Sequence, residues 1–461
     1  MAEEPSLDLL LVDDEDSPLP TKDPAGKPLP VFVNNFIIRA AANSARWVLE
    51  PPKLAVPLLS AHAKAAGLNV KSVYRPLLPW KRAWFRHLLR REPRVVGITT
   101  IAMLETYPVA RIAAEVRAVS PKSLIVLGGH GAACSPAIRA LGDLYISAHG
   151  EEALPGLVTA LKGGTELDRV AGVSVSPEGV RTMAGSLRYE GVPRVFYPDW
   201  DATSSGCRRY PIEASRGCRF NCSFCCYPGR TGQAYRTVEE VTGEMRYVRE
   251  RYGIRKFYFV DSSLTAEPEF ILGLCAALRK EKFRADWKCF ARPDAFDRTP
   301  ELAGAMAAAG CSWVFMGIES IHDHILAGMR RGMRRDGIER GLERAFGAGL
   351  KVHGNFVIGF PGETEATVME TAEFIGRWPF DSVYLCTFGM SPEMRDLAAA
   401  DPERYAHLKG EPIKDWRHDG MDYRTAYELT ARATRRINKK RFWPVASYMA
   451  DALYPLDKKR A

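Results

Sequence analysis

Three cysteines spaced four and three residues apart constrain this 461-residue chain more than any other feature of its sequence. Cys218, Cys222 and Cys225 follow a short apolar run at 210–214, which predicts a strand, so the three thiols lie in one loop at a strand end. Thiolates hold iron–sulfur clusters, and electron-transfer clusters generally use four of them. Three cysteines, with no fourth at a regular spacing, would leave one iron free to bind another ligand.

A structural zinc site is the alternative interpretation, with Cys226 or Cys207 as the fourth ligand. Zinc sites usually pair one Cys-x-x-Cys element with a second cysteine pair or with histidines downstream. No such pair lies at a suitable distance in this chain. The spacing therefore favours the cluster over zinc.

The run Cys218-x-x-x-Cys222-x-x-Cys225, with the aromatic Phe224 before its last cysteine, resembles the signature of the radical S-adenosylmethionine (SAM) enzymes. The resemblance implies that these thiolates carry a 4Fe-4S cluster whose open iron binds the amino and carboxylate groups of SAM. Reductive cleavage of SAM would then give a 5'-deoxyadenosyl radical. Cys226 is not expected to be a ligand, because the spacing fits only Cys225.

Composition excludes several other classes of protein. A hydrophobic fraction of 46% is ample for packed cores, and no uninterrupted apolar run of about twenty residues predicts a membrane span. The acidic start Met1-Ala2-Glu3-Glu4 does not resemble a secretory signal. Free thiolates need a reducing compartment, so we expect a cytoplasmic protein.

The net charge of +9 could indicate a nucleic-acid partner, but the excess is spread along the chain. No recognised nucleic-acid motif accompanies it. A solvated basic face, or a site for an anionic substrate, is the interpretation we adopt.

Shifts in composition predict five segments along the chain. Residues 1–29, with the acidic run 13–16 and several prolines, read as a mobile extension. The remaining segments are an α/β domain at 30–160, a glycine- and proline-containing linker at 161–206, a second α/β domain at 207–390 and a helical C-terminal cap at 391–461.

Strands and helices alternate in the first α/β domain, which predicts a doubly wound, Rossmann-like parallel sheet. Candidate strands are 31–33, 69–74, 94–99, 123–129 and 144–147, and candidate helices are 54–66 and 108–119. Ligands of such sheets bind at the carboxyl ends of the strands. Glycines and threonines stand at two of those ends, where they allow a bulky ligand to approach the backbone.

The order of these elements ahead of the cysteine motif resembles the cobalamin-binding domain of cobalamin-dependent radical SAM enzymes. The resemblance implies contacts to cobalamin from Thr99, Thr100, Ile101, Gly128, Gly129, His130, Gly150 and Glu151. The Asp-x-His-x-x-Gly motif, through which other cobalamin proteins ligate cobalt, is absent from the loop after the first predicted strand. Base-off cobalamin without a histidine from that motif is therefore implied.

The second α/β domain alternates strand and helix six times, counting the strand before the cysteines. Six parallel strands with outer helices predict a partial (β/α)6 barrel of the TIM type, whose chemistry sits at the carboxyl ends of the strands. Polar residues or glycine stand at four of those ends. By resemblance to the radical SAM family these are SAM contacts: Asp261, Ser262, Ser263, Arg292, Glu319, Ser320 and Gly359.

The C-terminal segment carries Trp416-Arg417-His418 followed by a predicted helix at 423–439. It resembles the Trp-x-His ending of methylases and cyclases in the family. We expect Trp416 to pack on the mouth of the barrel rather than to contact substrate. His418 and Tyr423 are weaker candidates for substrate contact.

Together these resemblances imply a cobalamin-dependent radical SAM methyltransferase that methylates an unactivated carbon of a small-molecule or natural-product substrate. A low-potential donor such as flavodoxin or ferredoxin would supply the electron. A cyclase or rearrangement enzyme with the same cofactors, but without methyl transfer, stays open as an alternative. A non-catalytic iron–sulfur or corrinoid carrier is a third possibility, which would not need a SAM-binding set at successive strand ends.

Overall fold

A computed structural model describes the protein. The described residues are 6–13, 54–74, 79–100, 107–147, 149–175, 179–183, 197–200, 209–225, 232–281, 283–389 and 416–438. Contacts divide them into two compact units, one formed by the described residues up to Trp200 and one by those from Arg209 onward. Within these ranges, no helix has both the length and the apolar character needed to cross a membrane.

The first unit is a seven-stranded sheet with helices between its strands. Its strands are β1 Leu9–Asp13, β2 Val70–Tyr74, β3 Val95–Thr99, β4 Leu124–Gly128, β5 Leu144–Ile146, β6 Val173–Val175 and β7 Arg181–Met183. Its helices are α1 Ala55–Ala65, α2 Pro79–Leu89, α3 Tyr107–Val119, α4 His130–Cys134, α5 Pro136–Arg139 and α6 Gly150–Lys162, with a 3-10 turn at Leu167–Arg169.

The strand order in this sheet is β2-β1-β3-β4-β5-β7-β6. All neighbouring strands run parallel except β6, which pairs antiparallel with β7. The order changes direction between β1 and β3, and in doubly wound sheets ligands bind at this switch point. The predicted α/β class with parallel sheets is confirmed.

The prediction of a mobile extension at 1–29 is wrong for β1, which lies inside the sheet between β2 and β3. Leu10 and Val12 are buried in one core cluster together with Phe85 of α2. Leu9 and Leu11 are buried in the other, with residues of α1 and α6. A parallel strand that is covered on both faces has a continuous apolar sequence. Here the acidic residues that follow the run led to the prediction of an extension instead of a strand.

The predicted linker at 161–206 is also wrong for its first part. The hairpin of β6 and β7 joins the edge of the first sheet, because β7 pairs with β5. Val170 and Met183 are buried in the core of the same unit. The predicted strand at 31–33 lies outside the described residues.

The second unit contains ten strands and eight α-helices in its described part. The strands are β8 Tyr210–Ile212, β9 Ser215–Cys218, β10 Gly232–Tyr235, β11 Lys256–Phe259, β12 Asp286–Ala291, β13 Cys311–Glu319, β14 Lys351–Ile358, β15 Ser382–Thr387, β16 Arg417–His418 and β17 Met421–Asp422. The helices are α7 Val238–Tyr252, α8 Pro268–Lys280, α9 Pro293–Arg298, α10 Leu302–Ala308, α11 Asp323–Gly328, α12 Arg335–Gly347, α13 Glu365–Arg377 and α14 Tyr423–Asn438, with a 3-10 turn at Leu264–Ala266.

Six strands of this unit form one parallel sheet in the order β8-β11-β12-β13-β14-β15, so each strand pairs with the one before it along the sheet. Trp287 of β12 is fully buried and donates from Nε1 to the carbonyl of Ala309 after α10, 2.9 Å away. The next residue, Lys288, lies 5.6 Å from the ring centre of Phe315. Successive residues of β12 therefore point to opposite faces of the sheet: Trp287 faces the helices, and Lys288 faces an aromatic and polar side.

Local signals account for the helix ends. Thr237 and Glu240 form a capping box at the start of α7, and Gly253 ends the helix in a left-handed conformation. In the predicted C-terminal cap, the described residues form the β16–β17 hairpin and α14.

Candidate functional site

The three motif cysteines lie in one loop of the second unit. Cys218 ends β9, which pairs antiparallel with β10, and Cys225 donates its backbone N–H to the carbonyl of Cys222 at 3.3 Å. Cys222 is 5% exposed, and the other two are half-buried. The structure therefore places in one loop the three residues that the sequence predicted as cluster ligands.

Asp261 and Ser262, predicted as SAM contacts, hold this loop in place. The Asp261 carboxylate accepts hydrogen bonds from the backbone N–H of Ala214 at 3.1 Å and from the backbone and hydroxyl of Ser215. Ser262 Oγ donates to the carbonyl of Gly217 at 2.6 Å. Burial raises the pKa of Asp261 to about 7, against the effect of these hydrogen bonds.

The end of α11 holds the loop from another direction. Ser223, next to Cys222, donates its backbone N–H to Met329 O and its hydroxyl to Gly328 O, each at 3.0 Å. Both acceptors belong to the C-terminal turn of α11, whose last carbonyls have no partner within the helix. The cysteine loop is thus fixed by backbone groups on two sides.

Arg292, at the end of β12, is 4% exposed and lies against the cysteine loop. Its guanidinium stacks 3.9 Å from the ring centre of Phe220 and donates to both carboxylate oxygens of Asp294, at 2.9 and 3.3 Å. Burial lowers its pKa from the ordinary value for arginine. Its Nη1 is buried and has no partner among the described residues, so it is available to a carboxylate.

Arg331 is a site residue that the sequence did not predict. It is 7% exposed and donates from Nη1 to Cys222 Sγ at 3.2 Å and from Nη2 to the carbonyl of Gly317. Its Nη2 lies 4.0 Å from a carboxylate oxygen of Glu319. The preceding Arg330 is exposed, and no sequence signal distinguishes the two arginines.

Glu319, at the end of β13, has a left-handed backbone with φ of +67°. This conformation costs about 1–3 kcal/mol for a residue other than glycine, and such strain clusters at functional sites. A Cβ on Gly317 would lie 2.6 Å from Glu319 Oε1, so that glycine leaves room for the carboxylate. Burial raises the pKa of Glu319. Ser320 is buried, and its hydroxyl accepts from the His322 backbone N–H at 3.2 Å.

Gly359, after β14, has a positive φ of +97° and is covered by the C-terminal segment. A Cβ there would lie 2.6 Å from Ala426 Cβ and 2.8 Å from the Trp416 ring. Trp416 is 1% exposed and donates from Nε1 to Phe388 O at 3.0 Å, while His418 Nε2 lies 3.2 Å from Gly359 O. The structure thus bears out packing of Trp416 at the strand ends and gives Gly359 a packing role.

Several buried polar atoms around the cysteine loop lack partners in the described part of the chain. Besides Arg292 Nη1, they include Ser263 Oγ and Gln233 Oε1. Gln233 donates from Nε2 to Ser215 Oγ at 2.8 Å and to Ser263 O at 3.2 Å. A zwitterionic ligand, with an ammonium and a carboxylate, would satisfy acceptors and donors of this kind.

The donor set of the motif is three thiols, which are the ligands that iron–sulfur clusters use. Among the described residues, no three His, Cys, Asp or Glu side chains are arranged so that they could hold a metal ion. A tetrahedral zinc site needs its ligands around one point, whereas in a 4Fe-4S cluster each thiolate binds a different iron. Cys207 and Cys226, the alternative zinc ligands, lie outside the described residues.

In the first unit, the predicted cobalamin contacts Thr99, Thr100, Gly128 and Gly129 meet at the carboxyl ends of β3 and β4. Thr100 donates from N and Oγ1 to Gly128 O at 2.7 and 2.9 Å, and Oγ1 accepts from Ala132 N at 2.7 Å. Gly129 has φ of +97°, and a Cβ there would lie 2.5 Å from Thr100 O. Thr99 Oγ1 is buried and has no hydrogen-bond partner in the described residues. This hydroxyl is therefore free to form a hydrogen bond with a ligand.

The other predicted cobalamin residues are placed differently. Gly150 begins α6, where a Cβ would lie 3.0 Å from Leu59 of α1, so packing of the two helices explains this glycine. Glu151 is buried in the first turn of α6. His130 begins α4, and Ile101 lies outside the described residues.

Comparison with known proteins identifies one domain directly. Residues 212–375 match the model of the Radical SAM superfamily. Over 305 residues the chain is 29% identical to an uncharacterized methyltransferase of Pyrococcus horikoshii, covering 63% of this chain and 65% of that protein. Over 170 residues it is 31% identical to bacteriochlorophyllide d C-12(1)-methyltransferase of Chlorobaculum tepidum, covering 36% and 37%.

A third relative is the anaerobic magnesium-protoporphyrin IX monomethyl ester cyclase of Rubrivivax gelatinosus. It is 25% identical over 335 residues, which cover 69% of this chain and 58% of the cyclase. The chain therefore spans less than two thirds of the length of each of these relatives.

Two solved structures share the fold across most of the chain. The radical SAM methyltransferase TsrM of Kitasatospora setae, with cobalamin and a 4Fe-4S cluster bound, gives a TM-score of 0.65 at 19% identity, covering 88% of this chain and 80% of that one. OxsB, a cobalamin-dependent SAM radical enzyme with aqua-cobalamin and SAM bound, gives 0.68 at 16% identity, covering 94% and 66%. Residues 212–375 thus match the radical SAM superfamily, and most of the chain shares the fold of these two solved structures.

Proposed function

We propose that the protein is a cobalamin-dependent radical SAM methyltransferase acting on a carbon of a small-molecule substrate. The main support is the cysteine loop of the second unit, with buried Arg292 and Arg331 packed against it. The relatives of Pyrococcus horikoshii and Chlorobaculum tepidum, both named methyltransferases, support the reaction class.

In this proposal Cys218, Cys222 and Cys225 hold the 4Fe-4S cluster. When bound, the cluster supplies the electron that cleaves SAM, and the corrinoid supplies the methyl group. Arg292 Nη1 would bind the SAM carboxylate, and Ser263 Oγ is a candidate acceptor for its ammonium, because both atoms are buried and unpaired in the described residues. Glu319, with its strained backbone, and the neighbouring Ser320 would lie near the ribose of SAM.

The six-stranded parallel sheet of the second unit is, in this proposal, the partial barrel around the cluster and SAM. The carboxyl ends of β3 and β4 would receive base-off cobalamin, with Thr99 Oγ1 and the backbone around Gly129 against it. A low-potential donor such as flavodoxin or ferredoxin would deliver electrons in the cytoplasm. The substrate would be a small molecule or natural product, without a nucleic-acid partner.

The test is anaerobic incubation of cluster-reconstituted, cobalamin-loaded protein with methyl-deuterated SAM and a low-potential reductant. We expect mass spectrometry to find the labelled methyl group on the corrinoid, together with S-adenosylhomocysteine. Formation of 5'-deoxyadenosine without label on the corrinoid would instead favour the cyclase or rearrangement reaction, which similarity to the Rubrivivax gelatinosus cyclase supports.

Replacing one cysteine tests the cluster assignment. Cys222→Ala should lose SAM cleavage and most of the cluster iron, because it removes one of three thiolates. Cys275→Ala is the matched control, since Cys275 is a buried free thiol in α8. Full iron content and SAM cleavage in Cys222→Ala would overturn the assignment, and a non-catalytic carrier would show iron in the parent protein without SAM cleavage.

A further inference from the structure

Arg331 donates a hydrogen bond to the sulfur of one motif cysteine. Its Nη1 lies 3.2 Å from Cys222 Sγ, within hydrogen-bond distance of a sulfur acceptor. The side chain is 8% exposed, so water does not compete strongly for the guanidinium. A buried cationic donor therefore points at the sulfur of a proposed cluster ligand.

The backbone on both sides of Arg331 has an unusual conformation that places this side chain against the cysteine loop. Arg330 has a left-handed backbone with φ of +53°, and Gly332 follows with φ of +64°. The same turn gives the carbonyls of Gly328 and Met329 to Ser223, the residue after Cys222. Residues 328–331 thus contact the cysteine loop through three separate hydrogen bonds: two backbone carbonyls accept from Ser223, and the guanidinium donates to Cys222.

The charge on Arg331 is only partly neutralised by neighbouring groups. Its nearest carboxylate is Glu319, with 4.0 Å between Nη2 and Oε1, and Nη2 also donates to Gly317 O. By contrast, Arg292 donates to both carboxylate oxygens of Asp294. Arg331 Nε is buried and has no partner in the described residues. Of these two guanidinium groups, Arg331 therefore keeps more of its positive charge for the cysteine sulfur.

We propose that Arg331 is a positioning residue that donates an N–H···S hydrogen bond to the Cys222 thiolate and thereby raises the reduction potential of the cluster. This inference rests on the proposed function, because it needs the cluster on the cysteine loop. Hydrogen bonds to cluster sulfurs and nearby net charge are both known to set such potentials. A cation beside the thiolate stabilises the added electron and makes the cluster easier to reduce.

The test is a redox titration of the reconstituted full-length protein, followed by electron paramagnetic resonance of the reduced cluster, first without SAM. Arg331→Met removes the charge and the donors but keeps the length of the side chain. We expect the ratio of reduced to oxidised cluster at a fixed potential to fall about tenfold, a shift of about 59 mV to more negative potential for a one-electron couple. Arg331→Lys, which keeps the charge but not the fork, should shift the potential less and in the same direction.

Arg330→Met is the matched control, because it makes the same change at the neighbouring, exposed position. Its potential should equal that of the parent protein. If Arg331→Met has the reduction potential of the parent protein, the inference is overturned. If Arg331→Met holds no cluster, Arg331→Lys decides instead, and a potential equal to that of the parent protein overturns the inference. Weaker SAM binding at an unchanged potential would make Arg331 a SAM contact and overturn it too.

The parent protein reports separately on the proposed function. If it binds no cluster or does not cleave SAM, the proposed function fails. If it does both and the variants leave the potential unchanged, only the role of Arg331 fails.

Discussion

At the scale of single residues, the buried carboxyl of Glu363 connects pH to stability. It is 1% exposed, accepts from the Gly359 backbone N–H, and has one oxygen without a partner in the described residues. Burial raises its pKa to about 8 from an ordinary value of 4.5. Between these values the folded protein holds a proton that the unfolded chain releases.

Stability should therefore fall as the pH rises from about 4.5 to about 8, by at most about 1.4 kcal/mol per pH unit from this group. Glu363→Gln mimics the protonated carboxyl and should flatten the dependence, as measured by denaturant unfolding of cluster-free protein across this range. Glu365→Gln, at an exposed position two residues later, is the control. An unchanged slope in Glu363→Gln would contradict the expected burial effect.

The sequence predicted the cysteines and Arg292 as site residues, because each stands in a local pattern that resembles the radical SAM family. The sequence did not point to Arg331, because only the fold makes that arginine different from Arg330. It did not point to Gln233 either, because the contacts of this residue with Ser215 and Ser263 form only in the folded chain. Asp261 was found at the correct strand end, but its carboxylate is used by the Ser215 backbone and hydroxyl rather than left free for a ligand. A motif gives positions, whereas hydrogen-bond partners come from tertiary contacts.

At the scale of elements, helix α12 packs so closely on α9 that one position requires glycine. A Cβ on Gly341 would lie 2.1 Å from the carbonyl oxygen of Pro293, the first residue of α9. Because Pro293 directly follows Arg292, a displaced α9 would also displace that arginine.

Gly341→Ala should therefore destabilise the protein by about 1–3 kcal/mol and weaken SAM binding. Gly347→Ala, in the same helix with nothing within 4 Å of the added Cβ, should stabilise it slightly or leave it unchanged. Thermal unfolding and SAM binding of the two variants measure the difference. Equal stability of both would show that α9 and α12 can separate without cost.

Most of the strand positions could be predicted, because buried parallel strands read as apolar runs. The predictions 94–99 and 123–129 correspond to β3 at Val95–Thr99 and β4 at Leu124–Gly128. β1 was missed because its five residues directly precede an acidic, proline-containing stretch. The strands β6 and β7 fell within the predicted linker, because the pairing of β7 with β5 is a long-range contact that no local pattern encodes.

At the scale of the whole molecule, each unit has its own core, so damage to one should spare the cofactor of the other. Leu10→Ala in β1 removes a fully buried side chain and should cost the first unit about 2–5 kcal/mol. We expect weaker cobalamin binding but unchanged iron per chain after reconstitution. Val175→Ala, at a residue that is 60% exposed in β6, is the control. Parallel loss of iron in Leu10→Ala would show that the units fold together.

The strand order of the first sheet could not be derived from the sequence. Alternating elements predict a parallel sheet, but they do not determine that β1 lies between β2 and β3. The second unit was simpler, because consecutive strands of its sheet are also neighbours in space. Its six parallel strands therefore followed from counting apolar runs.

The central position of β1 also affects synthesis of the protein on the ribosome. β1 is made first, yet its second neighbour, β3, begins about 80 residues later. At translation rates of about 5–20 residues per second, Leu9, Leu10 and Leu11 wait roughly 4 to 16 s before both flanking strands exist. During that time a leucine-rich segment is exposed on the nascent chain, where a chaperone that binds extended apolar peptides would find it.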